Sequence, residues 1–207
     1  MKDPTRDVET TNLETLSIGV FAIVMTLLVL DIRAPMVATA ELPAALLALW
    51  PNLLSYAISF ALLGIYFLGY TAQFRYINKV DHESHWISFL FLALVTLIPF
   101  STALLSGNPH SVLSIVIYAS NLITIGLALY WHWIHATKDY QLVDGDLHPY
   151  IIKYAKLRCL VAPVGYFLAI LVAFISPTVS LVICVAVPLF YIIPGMQKVF
   201  WLQLAKL

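Results

Sequence analysis

The chain has 207 residues, of which 61% are hydrophobic and 11% are charged, and its formal net charge at pH 7 is zero. A soluble globular domain is nearer half apolar and a quarter charged, so this composition, with a mean hydropathy of +0.91, excludes that class and indicates an integral membrane protein. No basic, aromatic-rich patch points to nucleic acid. Cys159 and Cys184 lie in apolar segments without CxxC spacing, and we interpret them as buried side chains.

The first apolar segment runs from Leu13 to about Arg33 and carries charge only at its ends. At about 1.5 Å per residue, roughly twenty helical residues cross the core of a bilayer. The segment is too long for a signal-peptide core and no small-residue cleavage site follows it, so we expect it to be retained. Pro35 is expected to end this helix.

Five further apolar segments follow, and prolines interrupt several of them. Pro51 is expected within the first turns of helix two or at a kink, Pro99 is expected to kink helix three, and Pro188 and Pro194 are expected to kink helix six. The polar segment 136–150 has room for a short surface helix. The sequence thus predicts one all-α transmembrane domain, 1–207, whose spans are approximately 13–33, 44–74, 86–105, 111–135, 155–175 and 179–201.

The basic residues orient these six spans. Only Arg33 falls on one side of the arrangement. The other ten fall on the opposite side: Lys2, Arg6, Arg75, Lys79, Lys138, Lys153, Lys156, Arg158, Lys198 and Lys206. Because cytoplasmic loops collect lysine and arginine, we predict that both termini are cytoplasmic and that the protein is a multi-pass protein of the plasma membrane.

The polar residues give little support to an enzyme. The sequence contains no HExxH or GxSxG motif and no pair of carboxylates within a span, so we predict neither catalysis nor a cofactor. His132 and His135, with Asp139 one turn further on, have a spacing that suits a metal, but interfacial histidines among tryptophans are the preferred interpretation. We expect the cluster formed by His82, Glu83 and His85 to cap helix three.

Transporters and channels remain as function classes. Proton or sodium coupling usually places an ionisable residue at depth, whereas the polar groups in the middle of the spans are several hydroxyls and the amides Asn52 and Asn121. We expect Asn121 to bond to a neighbouring helix. The run Val164-Gly165-Tyr166 lies inside helix five and is interpreted as a chance likeness to a potassium filter. A secondary transporter and a non-conducting scaffold stay open as alternatives to a channel.

The first helix has an ordered distribution of side chains. Ile23, Leu27 and Leu30 stand at i, i+4 and i+7 and share one face. A second stripe, rotated by about 75°, carries small residues, which let helices approach closely in lipid: Gly19, Ala22 and Thr26. The Thr26 hydroxyl is expected to bond to the carbonyl of Ala22. The large stripe suits a pore lining, a lipid-facing surface or packing in a core.

Three segments together carry a family resemblance: GVFAIVMTLLVLDI in helix one, FRYI at 74–77 and LIPFSTALL at 97–105. They resemble the bacterial relatives of the endosomal/lysosomal transmembrane-protein potassium channel, whose third helix carries LxPFxTALL. The resemblance covers essentially the whole chain and implies a potassium-selective, voltage-insensitive channel without a TVGYG filter. It also implies a homotetramer in which Ile23, Leu27 and Leu30 of helix one line the pore as apolar layers that gate it.

The chain departs from that family at the start of helix one. The family usually has Arg-x-x-x-Phe-Ser-Asp there, and this chain has Asn12, Leu16, Ser17 and Ile18, so only the serine matches. The polar network of that motif is therefore expected to differ, and with it the gating. At the other end of the helix Asp31 either raises the local concentration of cations or is an ordinary helix-end charge, and the two interpretations stand equal.

Overall fold

The computed structural model describes residues 4–193, with side chains from residue 10 onward. The described part confirms the predicted all-α class. Its α-helices are Pro4–Leu27 (α1), Leu42–Ala48 (α2), Trp50–Phe74 (α3), His82–Thr96 (α4), Ile98–Gly107 (α5), Val112–Thr137 (α6), Pro149–Ala173 (α7) and Pro177–Ile192 (α8). A 3-10 helix at Leu28–Asp31 extends α1, and another at Lys138–Tyr140 follows α6.

Prolines divide two of the predicted spans into pairs of helices. Pro51 lies in the first turn of α3, and Pro99 lies in the first turn of α5. Proline suits a first turn because its missing N–H would have no partner within the helix there. Near Pro99 the predicted span is interrupted at Leu97, which separates α4 from α5 within one apolar stretch.

Five stretches of the described chain are long and apolar enough to cross a membrane: Thr10–Asp31, Leu42–Phe74, His82–Gly107, Val112–Tyr140 and Pro149–Ala173. The fifth begins at Pro149, not near residue 155, because the ring of His148 accepts a hydrogen bond from the N–H of Tyr150 and so caps α7. The sixth, α8, is apolar but has 16 described residues. Its expected continuation to residue 201, with the kink at Pro194, lies outside the described residues.

Helix α6 forms the centre of the described bundle and contacts α3, α4, α5, α7 and α8. Its fully buried side chains include Ile115, Leu122 and Ile125, which recur with the helical period. Hydrogen bonds of side chains connect α6 to α3 and α5. The Tyr66 hydroxyl donates to the carbonyl oxygen of Leu122 at 2.9 Å. The Asn121 amide of α6 donates to the Ser101 hydroxyl of α5 at 3.1 Å, which confirms the expected bond to a neighbouring helix.

The two basic loops meet at one end of the bundle, here called the basic end. The N–H of Asn78, in the loop after α3, donates to the carbonyl of Leu142, in the loop after α6, at 2.8 Å. Ile77 and Val143 form an isolated antiparallel bridge beside this bond. The segments that carry Arg75, Lys79 and Lys138 are thereby joined, as the distribution of basic residues requires.

Gly126 marks a close approach of α6 to α7. A Cβ atom at residue 126 would lie 2.7 Å from Cγ of Pro163, whose ring cannot move independently of α7. We expect Gly126→Ala to lower the free energy of unfolding by about 1–3 kcal/mol, measured by denaturant unfolding in detergent micelles. Gly64→Ala is the matched control, because its Cβ would meet only the terminal methyl of Met25 at 4.0 Å. Equal losses in the two variants would contradict the close approach.

Candidate functional site

One face of α1 holds this helix to the rest of the chain. Its buried side chains follow the helical period and pack toward α3, α4 and α5. They are Leu13, Ser17, Phe21, Val24 and Leu28. Because this face is fully occupied, the orientation of α1 about its own axis is set by it.

Phe21 is the main aromatic contact of that face. Its ring centroid lies 5.3 Å from that of Phe67, nearly edge-on, and 6.1 Å from that of Phe91. Edge-to-face aromatic pairs at such distances contribute beyond the area they bury. The Phe21 side chain thus connects α1 to both α3 and α4.

The predicted large stripe lies on a different face of α1, rotated by about 110° from the buried one. The side chains of Ile23, Leu27 and Leu30 are 60%, 42% and 68% exposed, and the neighbouring small residues are exposed too. This exposure excludes packing of the stripe in the core of one chain. Lipid or other copies of the chain are left to cover it.

The 3-10 turn keeps the stripe aligned where the α-helix ends. In a 3-10 helix, side chains three residues apart stand above one another, so Leu30 continues the line of Leu27. The Thr26 hydroxyl donates to the carbonyl of Ile23 at 2.7 Å. The sequence-based expectation that it bonds to Ala22 is therefore wrong, because the hydroxyl reaches back three residues and not four.

Asp31 closes the 3-10 turn at the end of the bundle opposite the basic end, and its side chain is exposed. It forms no ion pair with any residue in the described part of the chain. A carboxylate with these properties is available to attract cations. Its position is equally that of an ordinary helix-end charge, so the structure favours neither interpretation.

The four positions of the partial family motif divide between the two faces of α1. Ser17 is fully buried, and its hydroxyl donates to the carbonyl of Glu14 at 2.7 Å. The three positions that depart from the motif, Asn12, Leu16 and Ile18, are exposed. Leu16 precedes Ile23 by seven residues, which is about two turns. It therefore extends the apolar stripe toward the basic end.

An acid–histidine cluster joins α4 to α6 at the basic end. Asp81 is the N-cap of α4 and accepts a hydrogen bond from the N–H of Ser84 at 2.8 Å. The Nε2 atom of His135 lies 2.9 Å from Oδ2 of Asp81, and its Nδ1 atom lies 3.5 Å from Oε1 of Glu83. The cap was expected among the neighbouring residues 82, 83 and 85. An aspartate directly before a helix is a usual capping signal, and it points to residue 81.

His132 has a different set of partners from His135. It is buried, and its Nδ1 atom lies 2.7 Å from Oε1 of Gln73. The Gln73 amide in turn donates to the carbonyl of Leu129 at 3.1 Å. The two histidines thus bind separate neighbours, and the described residues contain no group of three or more metal-ligating side chains placed for a metal ion. No sequence signal identified Gln73, since its partners lie far along the chain.

The chain is similar in sequence and in fold to potassium channels over most of its length. A family model described as the endosomal/lysosomal potassium channel TMEM175 matches residues 12–99. A potassium channel of Chamaesiphon minutus is 31% identical over 189 residues, which are 88% of this chain and 93% of the relative. One of Streptomyces collinus is 30% identical over 178 residues, or 84% and 86% of the two chains.

A solved structure extends the similarity to three dimensions. It is the crystal structure of a lysosomal potassium-selective channel TMEM175 homolog from Chamaesiphon minutus, with a TM-score of 0.79 at 30% sequence identity. The match covers 89% of this chain and 96% of that chain.

The acid–histidine cluster generates a prediction about stability. Partial burial raises the pKa of the Asp81 carboxyl, but hydrogen bonds from Ser84 and His135 more than offset this and lower the pKa to about 2. The folded pKa lies below the unfolded one, so the contribution of the carboxylate to stability is present above about pH 4 and is lost as the pH falls toward 2. We expect Asp81→Ala to lower the free energy of unfolding at neutral pH by about 1 kcal/mol.

Unfolding in detergent at neutral pH and near pH 2 measures this effect. Asp81→Asn keeps a capping side chain and should lose less than Asp81→Ala. Asp146→Asn, an exposed aspartate in a nearby loop, is the control and should match the native chain. A loss that is independent of pH in Asp81→Ala would contradict a role for the ionised carboxylate.

Proposed function

The chain belongs to the TMEM175 family of potassium channels, and we propose that it conducts K⁺ passively through a pore lined by α1 of several copies. The family consists of ion channels and not of enzymes, as the sequence predicted, and its bacterial relatives are multi-pass membrane proteins. We further propose that residues 1–207 act as one transmembrane domain with cytoplasmic termini at the basic end, and that four copies assemble around a central axis.

The observation that carries this proposal is the free apolar face of α1. Ile23, Leu27 and Leu30 are exposed together, while another face of the helix is packed against α3, α4 and α5. A helix that packs on its own protomer through one face can contact the same helix of other copies through its exposed face, around a common axis. Four such faces around one axis would form stacked rings of isoleucine and leucine.

Stacked apolar rings can act as a gate because they resist wetting. Successive rings stand about 6 Å apart along the helix, and a narrow apolar constriction resists wetting, so it blocks ions when closed. Widening the rings admits water and ions. Selectivity would then arise from partial dehydration at the constriction, which favours potassium because it releases water more easily than sodium.

The attachment of α1 suits a helix that moves. The side-chain hydrogen bonds recorded for Thr15, Ser17 and Thr26 all go to the carbonyls of α1 itself. Its contacts with α3 and α4 are apolar and aromatic, as at Phe21. Apolar contacts have no fixed direction, so tilting or rotating α1 breaks no bond between these side chains and another helix.

The departures from the family motif change the proposed pore entrance at the basic end. Leu16 extends the stripe by one position, and Asn12 replaces an arginine of the usual motif. The proposed consequence is a longer apolar constriction and a gate without the charged network that the family motif would place there. Asp31 at the opposite mouth is proposed to concentrate cations.

Potassium flux into liposomes that hold the purified protein tests the pore. We expect Ile23→Asn to raise the flux several-fold, because an amide hydrates the ring that it replaces. Leu27→Ala should reduce the preference for potassium over sodium, because it widens the constriction. Light scattering on the purified oligomer checks that each variant still assembles with the same number of chains.

Matched substitutions on other exposed faces serve as controls. Leu168→Ala on α7 and Val182→Asn on α8 change equally exposed apolar side chains, and both should conduct as the native chain does. Unchanged flux and selectivity in both α1 variants would exclude α1 as the pore. Flux that saturates and needs a counter-ion gradient would indicate a secondary transporter, and no flux in any ionic condition would indicate a scaffold.

Conductance at two ionic strengths tests the role of Asp31. We expect Asp31→Asn to lower potassium conductance about twofold near 0.01 M salt and to have little effect near 1 M, where the Debye length is about 3 Å. Single-channel recording in planar bilayers measures this. Glu41→Gln, an exposed acid in the loop after α1, is the control. A loss of equal size at both ionic strengths would contradict cation attraction.

A further inference from the structure

A cavity of about 190 Å³ lies between α3, α6, α7 and α8, near the basic end. Its wall is mostly apolar and aromatic and includes Tyr66, Trp133, Ala155 and Tyr191. An apolar cavity of about 150 Å³ holds a benzene molecule. The cavity in this chain is therefore large enough for a segment of hydrocarbon.

Arg158 is the charged side chain on this wall. It lies in the first half of α7, within a stretch apolar enough to cross a membrane, and its guanidinium is 5.9 Å from the ring centroid of Tyr191. No residue of the described part of the chain forms an ion pair with it. Arg158 is partly buried near the basic end, so the cavity presents a cation whose counter-charge the described residues do not supply.

Other polar groups on the wall are already engaged within the protein. The Tyr66 hydroxyl donates to the carbonyl of Leu122 at 2.9 Å, and the Trp133 indole donates to that of Ile152 at 3.2 Å. The Gln73 amide is divided between Leu129 and His132. These groups neither neutralise Arg158 nor present a second charge to the cavity.

We propose that this cavity binds an anionic amphiphile, with its carboxylate or phosphate on Arg158 and its hydrocarbon between α3, α6 and α7. A guanidinium presents paired donors that match both kinds of anion, and the aromatic wall accepts a hydrocarbon chain. The ligand comes either from the membrane, as an anionic phospholipid, or from solution, as a free long-chain acid. This site is separate from the proposed pore, so its test does not depend on conduction.

Native mass spectrometry of the protein in neutral detergent counts the molecules bound to each chain. The probes are laurate, phosphatidylglycerol, dodecanol and inorganic phosphate. We expect laurate, phosphatidylglycerol or both to bind with a Kd about tenfold or more below that of dodecanol. Tight binding of laurate but not of phosphatidylglycerol identifies a free acid as the ligand, and tight binding of phosphatidylglycerol but not of laurate identifies a membrane lipid. Equal binding of dodecanol, or inorganic phosphate that binds as tightly as laurate, would overturn the proposal.

Variants of α7 test separately the contribution of the Arg158 charge and that of the cavity volume. Arg158→Gln should raise the Kd of the anionic probes about tenfold, Arg158→Lys should retain part of the affinity, and Ala155→Phe should abolish binding by filling the cavity. Lys153→Gln and Val164→Phe alter exposed positions of the same helix and should bind as the native chain does. If Arg158→Gln does not assemble, Ala155→Phe and Arg158→Lys decide the question, and native affinity in both would overturn the site.

Discussion

The burial of a single face of α1 is the contact on which the arrangement of the proposed pore depends. Phe21 sits between Phe67 and Phe91, and Leu13, Val24 and Leu28 complete the face. Because an α-helix presents its side chains at fixed angles, packing these residues on α3, α4 and α5 leaves Ile23, Leu27 and Leu30 exposed. The exposure of the isoleucine and leucine stripe follows from this packing.

The remaining helices are joined differently, through directed polar bonds that converge on α6. Tyr66 and Gln73 of α3 reach its carbonyls, Asn121 bonds to α5, and His135 contacts the Asp81 cap of α4. Hydrogen bonds within a bilayer have no water to compete with them, so these contacts hold the helices in register. In contrast, Phe21 joins α1 to α3 and α4 through aromatic contacts.

Much of this architecture was accessible from the sequence, and its errors have identifiable causes. Pro51 was expected in the first turns of a helix or at a kink, and it lies in the first turn of α3. Pro99 was expected to kink a helix, and it lies in the first turn of α5, after an interruption at Leu97. The start of α7 and the cap of α4 were missed, because the side chains of His148 and Asp81 cap these helices through local hydrogen bonds to backbone N–H groups, which hydropathy does not measure. The partner of Thr26 was also wrong, since neighbouring carbonyls compete for one hydroxyl.

By itself the sequence determined that the protein lies in a membrane, its helical class and the family to which it belongs. Hydrocarbon requires long apolar helices, and composition alone reports that requirement. Only the tertiary structure decided which stripe of α1 is free, because the stripe through Val24 and Leu28 is as apolar as the one through Ile23 and Leu27. The tertiary structure also decided the separate partners of His132 and His135 and the position of Arg158 on the wall of a cavity. These features depend on residues that are far apart in the sequence; Gln73 and His132, for example, are 59 positions apart.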